Sequence, residues 1–239
     1  PKAAFLMVDG EEWLLLDRAE GALLADIVIA DAPDAYVTAA RRMARFHMHA
    51  TAVGWTAQLS GLGTLKGRIE SLPISVLEDL RRMMVEGKCS GVNPSLLMQV
   101  ETASAQLWPA FIKAYRCYPD SLIHGDCHYG NLFLTPEGGI CLIDWASASV
   151  APGLMDLAAL VDVSQRMRVH IAPEPDVLSA YFGELSPSER EAYGKPERAW
   201  AVCRSFRAFL ELEWFATTGE DYGQRAQREL TLLHAFLHL

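Results

Sequence analysis

The sequence predicts an α+β chain that is mostly helical, with short strand pairs set into it at two places. After residue 31, long stretches repeat apolar residues at helical spacing and are bounded by proline and capping signals. Residues 3–16 and 132–143 instead carry short apolar runs on either side of turn-forming clusters, the pattern of β-hairpins. The composition agrees: 239 residues with 51% hydrophobic and 21% charged side chains can bury a substantial core and are not disordered.

Taken in order, Ala3–Val8 and Glu11–Leu16 read as two strands joined by Asp9-Gly10. Asp31-Ala32-Pro33-Asp34 opens a helix to about Ala52, with proline tolerated in its first turn and Tyr36, Ala40, Met43 and His47 on one face. His47 and His49 read as packing or surface histidines. Ser60–Gly67 is glycine-rich and holds Lys66, but its glycine spacing is off for a phosphate loop, so a mobile surface loop is expected. A helix from about Pro73 to Glu86 stops near Gly87. The next starts at Asn93-Pro94 and approaches Tyr118, with Pro109 expected to break or kink it. Further on, Ser186-Pro187-Ser188-Glu189 has the form of a capping box, and Pro196 opens a helix to about Thr217. Trp200, Cys203, Phe206, Phe209 and Leu210 are its core face, and a last helix spans about Gly223 to Leu237.

Several classes are disfavoured. No uninterrupted apolar run is long enough for a membrane span and no basic-then-apolar segment opens the chain, so a cytoplasmic protein is the default. Cys89, Cys117, Cys127, Cys141 and Cys203 are odd in number and lack a Cys-x-x-Cys pair, which argues against disulfides and zinc; Cys127 reads as a bystander. A formal charge of −9 disfavours nucleic acid and is compatible with a cationic substrate, although it is also an ordinary solubility feature. Oligomeric state is left open.

The chemistry concentrates in His124-Gly125-Asp126-Cys127-His128-Tyr129-Gly130-Asn131, followed by Asp144-Trp145. His-x-Asp-x-x-x-x-Asn has the form of a kinase catalytic loop, whose Asp accepts the acceptor hydroxyl's proton and whose Asn holds magnesium. Leu132–Leu134 and Ile140–Ile143 flank the turn Thr135-Pro136-Glu137-Gly138-Gly139, so a hairpin there sets Asn131 and Asp144 side by side at its open end. An amide oxygen and a carboxylate converging on one point suit a hard cation that keeps waters and phosphates in its other positions.

His-Gly-Asp-x-His-x-x-Asn, then Ile-Asp-Trp, then Gly153-Leu154-Met155-Asp156-Leu157-Ala158 resembles the aminoglycoside phosphotransferase and choline kinase-like family of small-molecule kinases. The resemblance covers about Leu122 to Ala158 and departs at Tyr129, where many members have proline and where changed loop packing is expected. It implies a protein-kinase-like fold, ATP or GTP as donor, Mg2+, and transfer of the γ-phosphate to a hydroxyl of a small molecule. By residue it implies Asp126 as base and Asn131 and Asp144 on metal. It also implies residues 1–20 as the end of a nucleotide lobe, with a hinge at Asp17, Arg18 and Ala19 meeting the nucleobase, and residues 21–239 as a helical lobe. A phosphate-covering loop and a lysine belong upstream of such a hinge, so the chain, which starts at Pro1, is expected to be part of a longer one.

Supporting roles follow. His124 helps hold the loop's shape, and His128 orients it or is merely structural. Asp156 is either a helix N-cap or, as the resemblance implies, bonds back to the catalytic loop. Glu211, Glu213, Glu220 and Asp221 are either a solvated helix end or a carboxylate cluster suited to an aminoglycoside-like or other amino-bearing acceptor. Choline, homoserine and plain sugars are alternative acceptors. Two other classes stay open: a non-catalytic kinase-like binding module, and a metal-dependent hydrolase built on His124, Asp126 and His128.

Overall fold

The structure is a computed structural model and describes residues 3–8, 11–16, 19–27, 31–58, 63–167, 169, 171–218 and 223–238. β1 (Ala3–Val8) and β2 (Glu11–Leu16) form the two expected strands and pair antiparallel, Ala3 opposite Leu16 and Val8 opposite Glu11. β3 (Ala22–Leu23) is too short to be read from sequence; it joins the hairpin formed by residues 132–142 as a third strand.

The first helices follow the apolar spacing. α1 (Ala32–Ala52) buries Tyr36, Ala40, Met43 and His47 on one face. α2 (Trp55–Gln58) is one turn, and α3 (Leu72–Val85) ends where Gly87 takes a positive φ of 75°. α4 (Pro94–Cys117) starts at Asn93, whose side chain accepts the amides of Ser95 and Leu96. The expected break at Pro109 does not occur, and α4 runs through it. Proline forfeits one amide bond, but Trp108 and Phe111 beside it are buried in the core and Trp108 Nε1 donates to the Ile69 carbonyl at 2.7 Å, so packing holds both halves.

β4 (Asp120–Ile123) leads into the motif loop, and β5 (Leu132–Leu134) and β6 (Ile140–Leu142) form the expected hairpin. β7 (Ser149–Pro152) returns antiparallel to β4, Ile123 facing Ser149. The motif loop therefore lies between two small sheets, β3-β5-β6 and β4-β7. Gly63 and Thr64 are pinned to this second sheet by the Val150 amide, and Lys66 reaches the carbonyls of Arg116 and Tyr118 and the Asp120 carboxylate. Lys66 thus braces the scaffold. Ser60, Gly61 and Leu62 lie outside the described residues.

α5 (Leu154–Arg166) is nearly all buried, and α6 (Glu174–Glu184) packs on α1. α7 (Pro187–Tyr193) carries the capping box in full: Ser186 Oγ accepts the Glu189 amide while Glu189 accepts the Ser186 amide. α8 (Pro196–Thr218) and α9 (Gly223–Leu237) pack against one another and against α4. Trp200, Cys203, Phe206 and Phe209 are buried as expected, and Leu210, half-buried, packs against the core and also lines a cleft. The described cysteines are free, and among the described residues no helix is long and apolar enough to cross a membrane.

Candidate active site

The loop between β4 and β5 is held from beneath by one carboxylate. Asp156, 1% exposed in the first turn of α5, accepts the amide of His124 at 2.7 Å on Oδ2 and that of Gly125 at 2.9 Å on Oδ1. The N-cap of α5 is Gly153, so the capping role expected for Asp156 gives way to the bond back to the loop. His47 donates toward Asp156 Oδ2 at 3.2 Å from Nε2, and its Nδ1 faces the Tyr181 hydroxyl at 2.9 Å. His47 is therefore a buried member of the anchor, which its place on an apolar helix face concealed. Gly153 makes room for it: a Cβ there would lie 2.5 Å from the His47 ring and 2.6 Å from the Tyr181 hydroxyl.

Above this anchor the chain turns sharply. Gly125 has φ of 81°, and a Cβ on it would come within 2.1 Å of the Ser147 carbonyl oxygen, so only glycine fits. His124 is fully buried; its Nδ1 accepts the Asp126 amide at 3.3 Å, which leaves Nε2 to donate to the Ile143 carbonyl at 2.7 Å. That bond ties the motif loop to the residue preceding Asp144. His128 Nδ1 accepts the Gly130 amide at 3.0 Å, and Nε2 stands 3.8 Å from Asp126 Oδ2, too far for a hydrogen bond. Cys127 points into the core toward Met43 Sδ, and burial pushes its thiol well above the usual range, consistent with a bystander. Tyr129 accepts the Ala25 amide on its carbonyl and packs its ring against the core.

Asn131 and Asp144 arrive together at the hairpin's open end. The Ile143 amide donates to the Asn131 carbonyl at 3.1 Å, continuing the register in which Leu132 faces Leu142. Asn131 Nδ2 donates to the Asp126 carbonyl at 3.1 Å, which orients the side-chain amide and joins the hairpin to the loop. Asp144 has φ of 62°, the sole non-glycine with positive φ among the described residues, and its side chain is exposed. Backbone strain of this kind persists only where surrounding structure imposes it. Two oxygen donors at this point suit Mg2+, which takes its remaining ligands from phosphates and water. The described residues contain no group of three or more His, Cys, Asp or Glu able to hold a metal, and His124 spends both ring nitrogens within the protein. A metal site on His124, Asp126 and His128 is not formed.

On its other side Asp126 faces a cleft of about 750 Å³ between the loop and helices α5, α8 and α9. Glu211 lines it, but its two oxygens are taken by Arg166 at 3.0 Å and Arg207 at 2.6 Å. Glu213 pairs with Arg68 and is not among the cleft-lining residues. Glu220 and Asp221, like Asp17 and Arg18 of the expected hinge, lie outside the described residues. Ala19 is described and half-buried; it precedes Gly21, whose missing Cβ leaves room for the Leu134 carbonyl and lets β3 pair with β5. Arg207, which also donates to the Gly125 carbonyl at 3.4 Å, was not singled out from sequence. An arginine inside a long helix carries no local signal of facing a loop more than eighty residues upstream.

Comparison with known proteins fits this arrangement. The sequence model of the phosphotransferase enzyme family matches residues 6–206. A choline/ethanolamine kinase family protein from Mesorhizobium loti has a similar fold, with a TM-score of 0.60 and 15% identity over 99% of this chain and 74% of that one. An aminoglycoside phosphotransferase from Alicyclobacillus acidocaldarius aligns at a TM-score of 0.49 and 17% identity, over 98% of this chain and 75% of that one. None of the curated protein sequences matches the chain.

Proposed function

Because the chain belongs to the phosphotransferase enzyme family, we propose that it transfers the γ-phosphoryl group of ATP or GTP to a hydroxyl of a small molecule, with Asp126 as the base. The observation that carries this reading is the position of Asp126. It stands on a loop pinned by Asp156, tied through Asn131 to the hairpin end on one side and open to the cleft on the other. A hydroxyl entering from the cleft meets the Asp126 carboxylate, which takes its proton as the oxygen attacks phosphorus and the bond to the nucleoside diphosphate breaks. Asn131 and Asp144 would hold Mg2+, which when bound supplies charge neutralisation at the phosphates.

The remaining residues position these groups. Asp156 and His47 keep the loop rigid, and His124 sets the spacing between the loop and Asp144 through the Ile143 carbonyl. In this reading residues 1–20 end a nucleotide lobe whose hinge, Asp17 to Ala19, meets the nucleobase, and residues 21–239 form the helical lobe. The amino-bearing acceptor expected from Glu211, Glu213, Glu220 and Asp221 has little support in the two that are described, since each is already neutralised by arginine.

The test is an acceptor screen scored by nucleoside diphosphate release, with Asp126→Ala as control. Transfer should disappear in that variant while nucleotide affinity stays within a few-fold of wild type. Near-normal turnover by Asp126→Ala would remove Asp126 from the chemistry.

A further inference from the structure

The chain carries a formal charge of −9, yet the cleft beside Asp126 is lined by four arginines, Arg166, Arg207, Arg225 and Arg228, against the carboxylates of Asp126 and Glu211. Glu211 is spent on Arg166 and Arg207, holding both guanidinium groups in place at the wall. Arg225 and Arg228 stand three residues apart on α9 and share its cleft-facing stripe with Gln224. Behind the wall, Glu229 is buried with Oε1 4.0 Å from Arg166, and Asp162 is engaged by Arg204 at 2.5 Å. Neither of these carboxylates lines the cleft.

The arginines do not lie on the metal side of the loop. The cleft includes Gly125, Asp126 and His128 but neither Asn131 nor Asp144, so it opens on the face of Asp126 away from the hairpin end. Its apolar lining comes from Val163, Met167, Leu210 and Phe215, together with the half-exposed Trp214. Planar guanidinium groups match carboxylate and phosphate oxygens in pairs, and a cationic acceptor would meet like charge.

Resting on the phosphotransferase reading above, we propose that the acceptor is acidic: a hydroxyl-bearing small molecule whose carboxylate or phosphate is received by Arg228 and Arg225 and whose apolar part lies against Trp214. Arg166 and Arg207, organised by Glu211, set the positive wall that steers the acid toward Asp126.

Binding tests this without catalysis. Isothermal titration of the wild-type chain, in the absence of nucleotide, would use glycerate and glycerol 3-phosphate as acidic probes, glycerol as the neutral one, and choline and glucosamine as cationic ones. An acidic probe should bind at least about tenfold more tightly than glycerol and lose about tenfold or more in Arg228→Gln. Arg225→Gln is the second variant should the first fail to fold. Glycerate binding above glycerol 3-phosphate identifies a carboxylate site, and the reverse order a phosphate site. Tighter binding of choline or glucosamine, or acid affinity unchanged in both variants, overturns the proposal. Magnesium-dependent ATP and GTP binding by wild type is measured alongside. Its absence with acid binding retained would count against the kinase reading and leave the cleft assignment standing.

Discussion

Replacing Asp156 by Asn changes one buried oxygen to nitrogen and should disable the loop that it holds through the His124 and Gly125 amides. The carboxylate accepts two backbone amides, at 2.7 and 2.9 Å, and faces His47 Nε2 at 3.2 Å. The amide side chain keeps one acceptor and turns its NH2 toward a group that can only donate. One buried N–H is left without an acceptor and a new buried donor is added, each costing about 1–3 kcal/mol, and the bond that survives loses its charge assistance. A loss of about 3–5 kcal/mol in unfolding free energy is therefore expected, within the range for breaking a buried ionic contact. These amides belong to His124 and Gly125, so the released loop carries Asp126 with it. A displacement of about 1 Å would lower kcat by about 100-fold. Nucleotide affinity, which the proposed function assigns to the hairpin side, should change little. Urea unfolding followed by circular dichroism gives the first quantity, and steady-state kinetics well below the melting temperature gives the second. A stability loss under about 1 kcal/mol together with unchanged kcat would refute the anchoring argument.

Other expectations are as specific. Asp144→Gly relieves the φ of 62° and should leave stability unchanged or raise it by about 1 kcal/mol, while activity collapses; Asp144→Asn should instead raise the magnesium requirement, and an unshifted magnesium titration would make Asp144 structural only. Gly125→Ala drives a Cβ to 2.1 Å from the Ser147 oxygen at φ of 81° and should cost about 2–4 kcal/mol with loss of transfer, so a variant melting at the wild-type temperature would contradict the turn geometry. Burial, with Asp162 and Glu211 nearby, raises the Glu229 carboxyl from 4.5 to about 7. The folded state therefore holds this proton more tightly than the unfolded chain, and the stability it contributes is full below about 4.5 and is lost as pH rises through about 7. Glu229→Gln, which does not titrate, should be more stable than wild type by about 1–3 kcal/mol at pH 8, with a smaller difference at pH 5. Equal pH slopes for the two proteins would show that Glu229 titrates normally.

Local signals carried much of the fold. Helix starts at Pro94 and Pro187 and the stop at Gly87 are written in short-range chemistry, because proline, Asn93 and Ser186 act on the backbone within one turn. The hairpin β5-β6 was legible for the same reason: Thr135 to Gly139 is a turn in its own right, and a turn fixes the register that sets Asn131 beside Asp144. β3 and β7 were not legible, since two- and four-residue strands exist only through partners far along the chain. Pro109 does not break its helix, because local backbone cost is outweighed by tertiary packing of Trp108 and Phe111.

The division is the same at the site. The sequence by itself determined that Asp126, Asn131 and Asp144 come together, because they lie within one loop and one hairpin, where spacing implies geometry. Only the tertiary structure decided what surrounds them. His47 reaches Asp156 from α1 and is met in turn by Tyr181 from α6, and Arg166, Arg207 and Arg228 converge on the cleft from α5, α8 and α9. Helical periodicity states that a residue faces inward but not what it meets, so the charge of the cleft beside Asp126 became visible only when the helices were packed together.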